Sequence, residues 1–410
     1  MDGEYARAAR NRIASRRCVD RRTRKRGVSE EPLVAKVAGS VGALDGGQWD
    51  ALAGSDNPFM SYDFLTIMEE SGSVGPGTGW QSAPIVIESG DGELLAAMPS
   101  YLKGNSRGEF VFDNAWADAY QRAGGQYYPK VQIAAPHTPA TGPRLLYSDE
   151  KYAVALLRAA EQLCAGNGFS SAHATFIEPD QLPLFEHAGW MLRSDIQFHW
   201  YNRDYQSFDG FLAALASRKR KAVRKERAAA QDGVDIVHLS GAQITEAHWD
   251  AFWEFYQDTG ARKWGQPYLT REAFTLFGER MGDRVLLILA LEEGEPIAGA
   301  LNFVGGTALY GRYWGCSREK RFLHFELCYY QAIDAAIERG LERVEAGAQG
   351  GHKLTRGYEP CKTWSAHWIA DPGFRDAVSD FLEREREGID VDQMYLGERT
   401  PFKKDGSGKP

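Results

Sequence analysis

The sequence predicts an α/β (α+β) protein of two tandem units, each a mixed central sheet flanked by helices. Three observations predict it. Short sequence anchors recur in the same order about 200 residues apart, strand-like alternation is interleaved with helical periodicity, and the composition suits a large core. The chain has 410 residues, 43% hydrophobic and 12% aromatic, which is ample for more than one domain.

The anchors run as follows. WDA stands at 49–51 and again at 249–251. NPFMSYDF from Asn57 is echoed by QPYLTREAF from Gln266, each a proline-aromatic turn into a helix with Ser or Thr as its cap. GELLAAMPSY from Gly92 matches GEPIAGALNF from Gly294, and each reads as the second strand of a hairpin. A helix over Lys151–Asn167 ends in glycine and leads to the strand SSAHATFI; its counterpart over His324–Arg339 leads to ERVEAGA. Glycine after each helix supplies the left-handed C-terminal cap. In GWMLRSDIQFHW and GYEPCKTWSAHW, His199 and His367 each follow the opening glycine by the same spacing, and a tryptophan follows each histidine. Together the anchors indicate an internal duplication, with about 30 extra residues in the first half between hairpin and helix.

The expected boundaries are a basic leader at 1–27, a first unit at 28–205 with an aromatic insertion at about 110–143, a basic junction helix at 206–232, a second unit at 233–400 and a tail at 401–410. The net charge is −8, yet the first 26 residues carry ten Lys/Arg against three Asp/Glu, leaving −15 on the remainder. The leader lacks the apolar stretch of a signal peptide and is expected to be a disordered segment, with the folded pattern beginning near Val28. The central apolar run VLLILAL from Val285 is far short of the roughly 20 residues that cross a bilayer, so no membrane insertion is expected. Five cysteines with no C-x-x-C pair argue against a disulfide framework or a zinc knuckle and for a reducing cytoplasm. No metal-ligand spacing occurs among the nine histidines, so no metal is expected.

The order helix, hairpin, central helix, buried strand, glycine-aromatic turn and final strand resembles the GCN5-related N-acetyltransferase (GNAT) fold, and LFEHAGW resembles one of its familiar segments. Two such units around a basic helix, with the stretches from Arg312 to Pro360 and from Phe112 through the insertion, resemble the bacterial FemAB-like family of N-acyltransferases associated with peptidoglycan biosynthesis or recognition. The resemblance covers nearly the whole chain after Val28. It implies transfer of an acyl or aminoacyl group from an activated carrier to an amine, the acceptor being a small molecule, a peptide or a cell-wall precursor. Neither half has the glycine-rich pyrophosphate loop of ordinary GNAT members, so the carrier is open between acyl-CoA, the favoured co-substrate, and aminoacyl-tRNA. A non-catalytic recognition protein on the same scaffold is the reading from another class.

Acyl transfer needs a base, donors for an oxyanion and an orienting cleft. Glu345, in the apolar central strand of the second half, is the first candidate base, because burial raises a carboxylate's pKa; a buried ion-pair role is the plain alternative. Its counterpart in the first half is His173. His352 and Glu326 are the further acid/base candidates. The loop GAQGGHK after the strand offers Gly347, Gly350 and Gly351, whose backbone N–H groups can converge on an anion, with Lys353 and Arg356 adding charge for a cofactor phosphate. It lacks the spacing of a Walker loop. Tyr313 is a candidate for the same cleft, whereas Cys316 reads as a small core residue.

The insertion offers Trp116, Asp118, Tyr120, Tyr128 and Lys130 as substrate-binding candidates, since stacking faces and charges suit a nucleotide, sugar or peptide. The junction SRKRKAVRKER holds seven Lys/Arg in eleven positions, and the resemblance implies phosphate contacts there, giving Lys219, Arg220 and Arg224 as ligands. No nucleic-acid-binding motif accompanies that charge, so sequence-specific recognition is not expected.

Overall fold

The computed structural model describes residues 33–264, 267–347 and 350–403. The basic leader read at 1–27 lies outside them, as do residues 404–410 of the tail. The described residues form two compact units. Unit 1 takes the chain up to Gly54, Phe59–Ser194 and Trp364–Arg386, and unit 2 takes Ser55–Pro58, Asp195–Thr363 and the chain from Glu387.

In unit 1 the strands are β1 (Ala35–Val37), β2 (Trp80–Ser82), β3 (Ile85–Glu88), β4 (Leu94–Met98), β5 (Ser100–Lys103), β6 (Lys130–Ile133), β7 (Leu146–Tyr147), β8 (Ser171–Thr175) and the first residues of β9 (Met191–Tyr201). A four-stranded sheet has the order β1-β3-β4-β7. A second sheet runs β2-β5-β6-β8, antiparallel at β2/β5 and β5/β6 and parallel at β6/β8. The hairpin β3/β4 is the one whose second strand follows Gly92. The helix Glu150–Asn167 starts where the Asp149 side chain accepts from the Lys151 N–H and stops at Gly168 in the left-handed conformation. Its buried Ala153, Leu156, Leu157, Ala160, Leu163 and Cys164 recur every three to four residues and cover the sheet, as an amphipathic helix must.

Unit 2 continues with the rest of β9, then β10 (Asp235–Leu239), β11 (Val285–Glu292), β12 (Glu295–Val304), β13 (Ala308–Cys316), β14 (Arg343–Glu345) and the first half of β15 (Glu359–Ile369). Its sheet runs β10-β11-β12-β13 antiparallel, β13/β14 parallel and β14/β9 antiparallel. VLLILAL starts β11, buried from Val285 to Ala290, which explains its unbroken apolar character.

The sequence reading gave each unit one continuous stretch, whereas each unit draws on separated stretches of the chain. Both repeat-closing strands change unit partway along, β9 after Ser194 and β15 after Thr363. The central strand β8 of unit 1 takes β15 as its antiparallel partner, with His173 opposite His367. The central strand β14 of unit 2 takes β9, with Glu345 opposite His199. The repeat positions matched in sequence thus meet crosswise. Each half of the chain donates its last strand to complete the sheet of the other, because a central strand needs an antiparallel partner for its second row of backbone groups.

Close packing of β13 in unit 2 depends on Gly315, where an added Cβ would lie 2.2 Å from the Phe255 carbonyl oxygen in the helix Glu246–Trp264. Backbone cannot yield as a flexible side chain does. Gly315→Ala is expected to lower unfolding stability by about 2–3 kcal/mol in urea titration, and an unchanged midpoint would contradict this packing.

Candidate functional site

The span 206–232, read as one basic junction helix, holds two helices in unit 2, Phe208–Ala214 and Ser217–Ala230, and the second carries the basic run. Arg227, near its end, is held against the central helical segment, which is α-helical over Leu323–Phe325, widens to a π-turn over Glu326–Tyr330 and is α-helical again over Gln331–Glu338. Such widening exposes side chains to contacts that a regular helix would not permit, and it frequently marks functional sites. Glu326 opens the π-turn fully buried, and its Oε1 accepts from Arg227 Nε at 3.1 Å, Arg227 Nη2 at 3.0 Å, Gln231 at 2.8 Å and Gln331 at 2.7 Å. That oxygen is saturated with donors, so Glu326 serves as the anchor of the basic helix.

Between this helix and the turn Gly351–Arg356 lies a cavity of about 430 Å³ lined by Arg218, Lys219, Ala222, Val223, Glu226, Tyr330, Thr355 and Arg356. Tyr330 donates to Glu226 Oε2 at 2.5 Å and Arg356 donates to the same oxygen at 2.9 Å. The Arg356 guanidinium also lies over the Phe325 ring at 3.5 Å and donates to the His352 carbonyl at 2.8 Å. Arg356 is therefore a fixed cation at the cavity wall. Lys219 lines the cavity with it, while Arg220 is half-buried elsewhere on the helix and Arg224 is exposed and pairs with Asp209 at 3.0 Å.

The glycine loop is built differently from a rim of free cations. Gly347 and Gly350 both have positive φ, 74° and 121°, a conformation that side chains disfavour. Lys353 is buried and donates to the Gly347 carbonyl at 2.8 Å; burial pulls its pKa down to about 8. It pins the loop that the Gly351 turn then leaves. The His352 ring accepts from or donates to Tyr329 Oη at 2.9 Å, and burial together with Arg356 and Lys353 lowers its pKa. Tyr313 is half-buried against Tyr256, with ring centroids 5.2 Å apart.

A second polar group occupies one face of the unit 2 sheet. Glu345 is buried at the end of β14, accepts from Arg343 Nε at 3.0 Å, and places Oε2 3.8 Å from His199 Nε2. That Oε2 has no hydrogen-bond partner. Burial opposes protonating His199, but the Glu345 carboxylate and the Cys361 thiol outweigh it, so the histidine's pKa lies above its ordinary value.

In unit 1 the insertion folds inward. Trp116 lies on the helix Asn114–Arg122 with its ring edge-on to His367 at 4.9 Å, Tyr120 stacks on Phe374 at 4.5 Å, Asp118 is exposed, and Tyr128 shares a hydrogen bond with Ser106 at 2.8 Å. Lys130 is wholly buried, donating to Glu109 at 2.7 Å and to Asp113, and so stands away from any ligand surface. Tyr127 donates to Asp113 at 2.6 Å and lies 3.3 Å from His173 Nε2. His173 and His367 meet through their Nδ1 atoms at 2.8 Å, so one ring donates and the other accepts, and both are neutral.

Sequence reasoning missed Glu226, Tyr330, His199 and Cys361 as site residues. His199 had a signal in its repeat spacing, and Glu226 is the one acid within SRKRKAVRKER. Among the described residues no three His, Cys, Asp or Glu side chains converge as a metal site requires.

The unit 1 histidines set a pH dependence. Burial, with Lys130 adding to it, pulls the His173 pKa down to about 3, and burial with His173 pulls His367 well below its usual value. The unfolded chain therefore takes up these protons first as pH falls, and stability is lost from about pH 6.5 downward, by at most about 1.4 kcal/mol per pH unit for each histidine. In urea titrations from about pH 7.5 to about pH 4.5, the deficit of His173→Gln relative to the native chain is expected to shrink as pH falls. A deficit independent of pH would show that the buried ring does not stay neutral.

Residues 40–404 match the FemAB-like family, described as peptidoglycan biosynthesis/recognition. Among solved structures, FemX superposes with a TM-score of 0.53 at 14% identity, covering 82% of this chain and 98% of that one. A C-terminal domain from Agrobacterium fabrum, assigned to lysylphosphatidylglycerol synthetases, gives a TM-score of 0.50 at 11% identity, covering 84% and 97%. A tandem GNAT protein of the clavulanic acid biosynthesis pathway aligns over 83% of this chain and 99% of its own at 14% identity, with a TM-score of 0.43. No curated protein sequence matches the chain. At these identities the first two likenesses speak for the fold alone, and the match across residues 40–404 speaks for the lineage: the chain belongs to the FemAB-like family of transferases.

Proposed function

We propose that the protein is an N-acyltransferase that moves an acyl group from a phosphate-bearing carrier, acyl-CoA in the first reading, to the amine of a peptide or cell-wall precursor in the cytoplasm. The observation that carries the proposal is the unit 2 cavity, where Arg218, Lys219 and Arg356 converge beside the π-turn. A cavity of about 430 Å³ is within the range of small-ligand sites, and an arginine fixed by neighbouring groups binds phosphate with little loss of side-chain freedom. Glu226 holds Arg356 in place and keeps the local charge from excess in the free protein.

The reacting carbonyl belongs at the other end of the segment that leaves the cavity. Arg356 and Cys361 are separated by at most about 18 Å of extended chain, and Glu345 with His199 lies on the polar face reached by that strand. The Glu345–His199 pair is the proposed base: the imidazole takes the proton and the carboxylate favours its charged form. Glu326 and Glu345 each retain one oxygen without a hydrogen bond; what favours Glu345 is the His199 ring 3.8 Å from that oxygen, whereas Glu326 is tied through its other oxygen to the basic helix and His352 is engaged by Tyr329.

Aminoacyl-tRNA is the second reading. The observation favouring it is the rest of the basic helix, where Lys221, Arg224 and Lys225 are exposed in addition to the cavity cations, more charge than a single pyrophosphate needs.

Calorimetric titration with CoA, acetyl-CoA and a non-hydrolysable aminoacyl-tRNA analogue separates the readings. One carrier is expected to bind, and Arg218→Ala with Lys219→Ala is expected to weaken it by at least about tenfold, since hydrogen bonds to charged groups contribute about 1.5–3 kcal/mol each. A salt slope near one or two ions would indicate CoA and a steep slope tRNA. Unaltered affinity in the double variant, or no binding by any carrier, would remove the proposal.

A further inference from the structure

The polar face of the unit 2 sheet contains a group that the proposed base does not use. Cys361 is half-buried near the start of β15, with its Sγ 3.6 Å from the Lys362 carbonyl oxygen and within hydrogen-bonding reach of His199 and Tyr201. His199 Nε2 shares a hydrogen bond with Gln197 Oε1 at 3.3 Å and lies 3.8 Å from Glu345 Oε2, which is buried and without a hydrogen bond. Arg343 fixes the remaining carboxylate oxygen at 3.0 Å. Thiol, imidazole and carboxylate are thus gathered around one ring, the groups by which a nucleophile is activated. Tyr310 meets Glu345 in the register of β13 and β14, and Glu359, the next acid along β15, is held by Arg203 at 2.8 Å.

We infer that Cys361 is a nucleophile that carries the acyl group as a thioester between donor and acceptor, with His199 as its base and Glu345 as the group that positions and charges the imidazole. This deepens the transferase reading and rests on it for the biological donor. Burial alone would raise the thiol's pKa; hydrogen bonding and charge from His199, with a hydrogen bond from Tyr201, outweigh it and bring the thiol below its ordinary value, against the opposing charge of Glu345. Reactive thiols occupy such partly exposed, cation-flanked positions.

The step balances as follows. The thiol proton passes to His199, sulfur attacks the donor's carbonyl carbon, a C–S bond forms, and the bond from that carbon to the carrier's sulfur or oxygen breaks. The imidazolium returns its proton to the leaving group. The acceptor amine then attacks the thioester, a C–N bond forms, the C–S bond breaks, and the amine's proton returns through His199 to the sulfur. No oxidant or further reactant is required. Cys328, also half-buried, and the buried Cys164 and Cys316 serve as internal comparisons.

The test uses p-nitrophenyl acetate on the full chain, because this ester has no phosphate and reports on the thiol whether or not the carrier has been correctly assigned. A burst of about one equivalent of nitrophenolate is expected, with the acetyl group found on the Cys361 peptide by mass spectrometry. Cys361→Ser should abolish the burst, and His199→Ala should slow it at least tenfold at neutral pH, in line with the usual contribution of a general base. Glu345→Gln should lower the pH at which the His199 ring titrates in NMR spectra, since the Glu345 carboxylate is what raises it. Acetylation at another residue, a burst that survives Cys361→Ser, or a Cys361 no more reactive than Cys328 would overturn the inference. A burst as expected with no carrier binding would leave the thiol site standing and remove the carrier assignment; carrier binding without thiol reactivity would do the reverse.

Discussion

Everything in the fold depends on how the two central strands find their antiparallel partners. Strand β8 pairs with β15, and β14 pairs with β9, so neither half of the chain completes its own sheet. A strand with one unpaired edge leaves a row of N–H and C=O groups to be satisfied. The duplication provides two such edges and two closing strands, and the exchange satisfies both. It also brings one residue from each repeat to a single register position, which a contiguous unit could not do.

Those two register positions have diverged. In unit 1 the facing residues are His173 and His367, sealed in a network with Tyr127, Asp113 and Lys130 and covered by Trp116. Buried and neutral, they behave as core. In unit 2 the facing residues are Glu345 and His199, with an oxygen left unpaired and a half-buried thiol beside the ring. The same backbone arrangement thus supports a stabilising cluster in one unit and groups suited to acyl chemistry in the other, and the cavity with fixed cations lies in the second.

Much of this was legible in the sequence, because it rests on local pattern. The glycine-ended helices, the hairpin after Gly92 and the buried strand from Val285 follow from periodicity and turn chemistry, and the match of His199 with His367 follows from equal spacing. The exchange was not legible, since strand partners are chosen by long-range contacts that leave no trace in spacing. Lys130 read as a surface cation because lysine is rarely buried without a partner; its partners, Glu109 and Asp113, stand too far back in the chain for a local pattern to connect them. Glu326 read as a candidate base because an acid in a helix's first turn is visible in sequence, whereas the π-turn that turns it toward Arg227 is not. Cys361 gave no signal alone; it acquires meaning only beside His199, which is remote in sequence.

The central claim is that the carrier's phosphates sit between the basic helix and the glycine-loop turn of unit 2. Hydrogen exchange of the intact chain, with and without saturating CoA or an aminoacyl-tRNA analogue, locates the bound carrier without relying on turnover. The account predicts slower exchange in Ser217–Ala230 and Gly351–Arg356 with one of the two carriers, and little change in the helix Asn114–Arg122. Protection confined to unit 1, or none in these two segments under conditions where calorimetry shows binding, would contradict it.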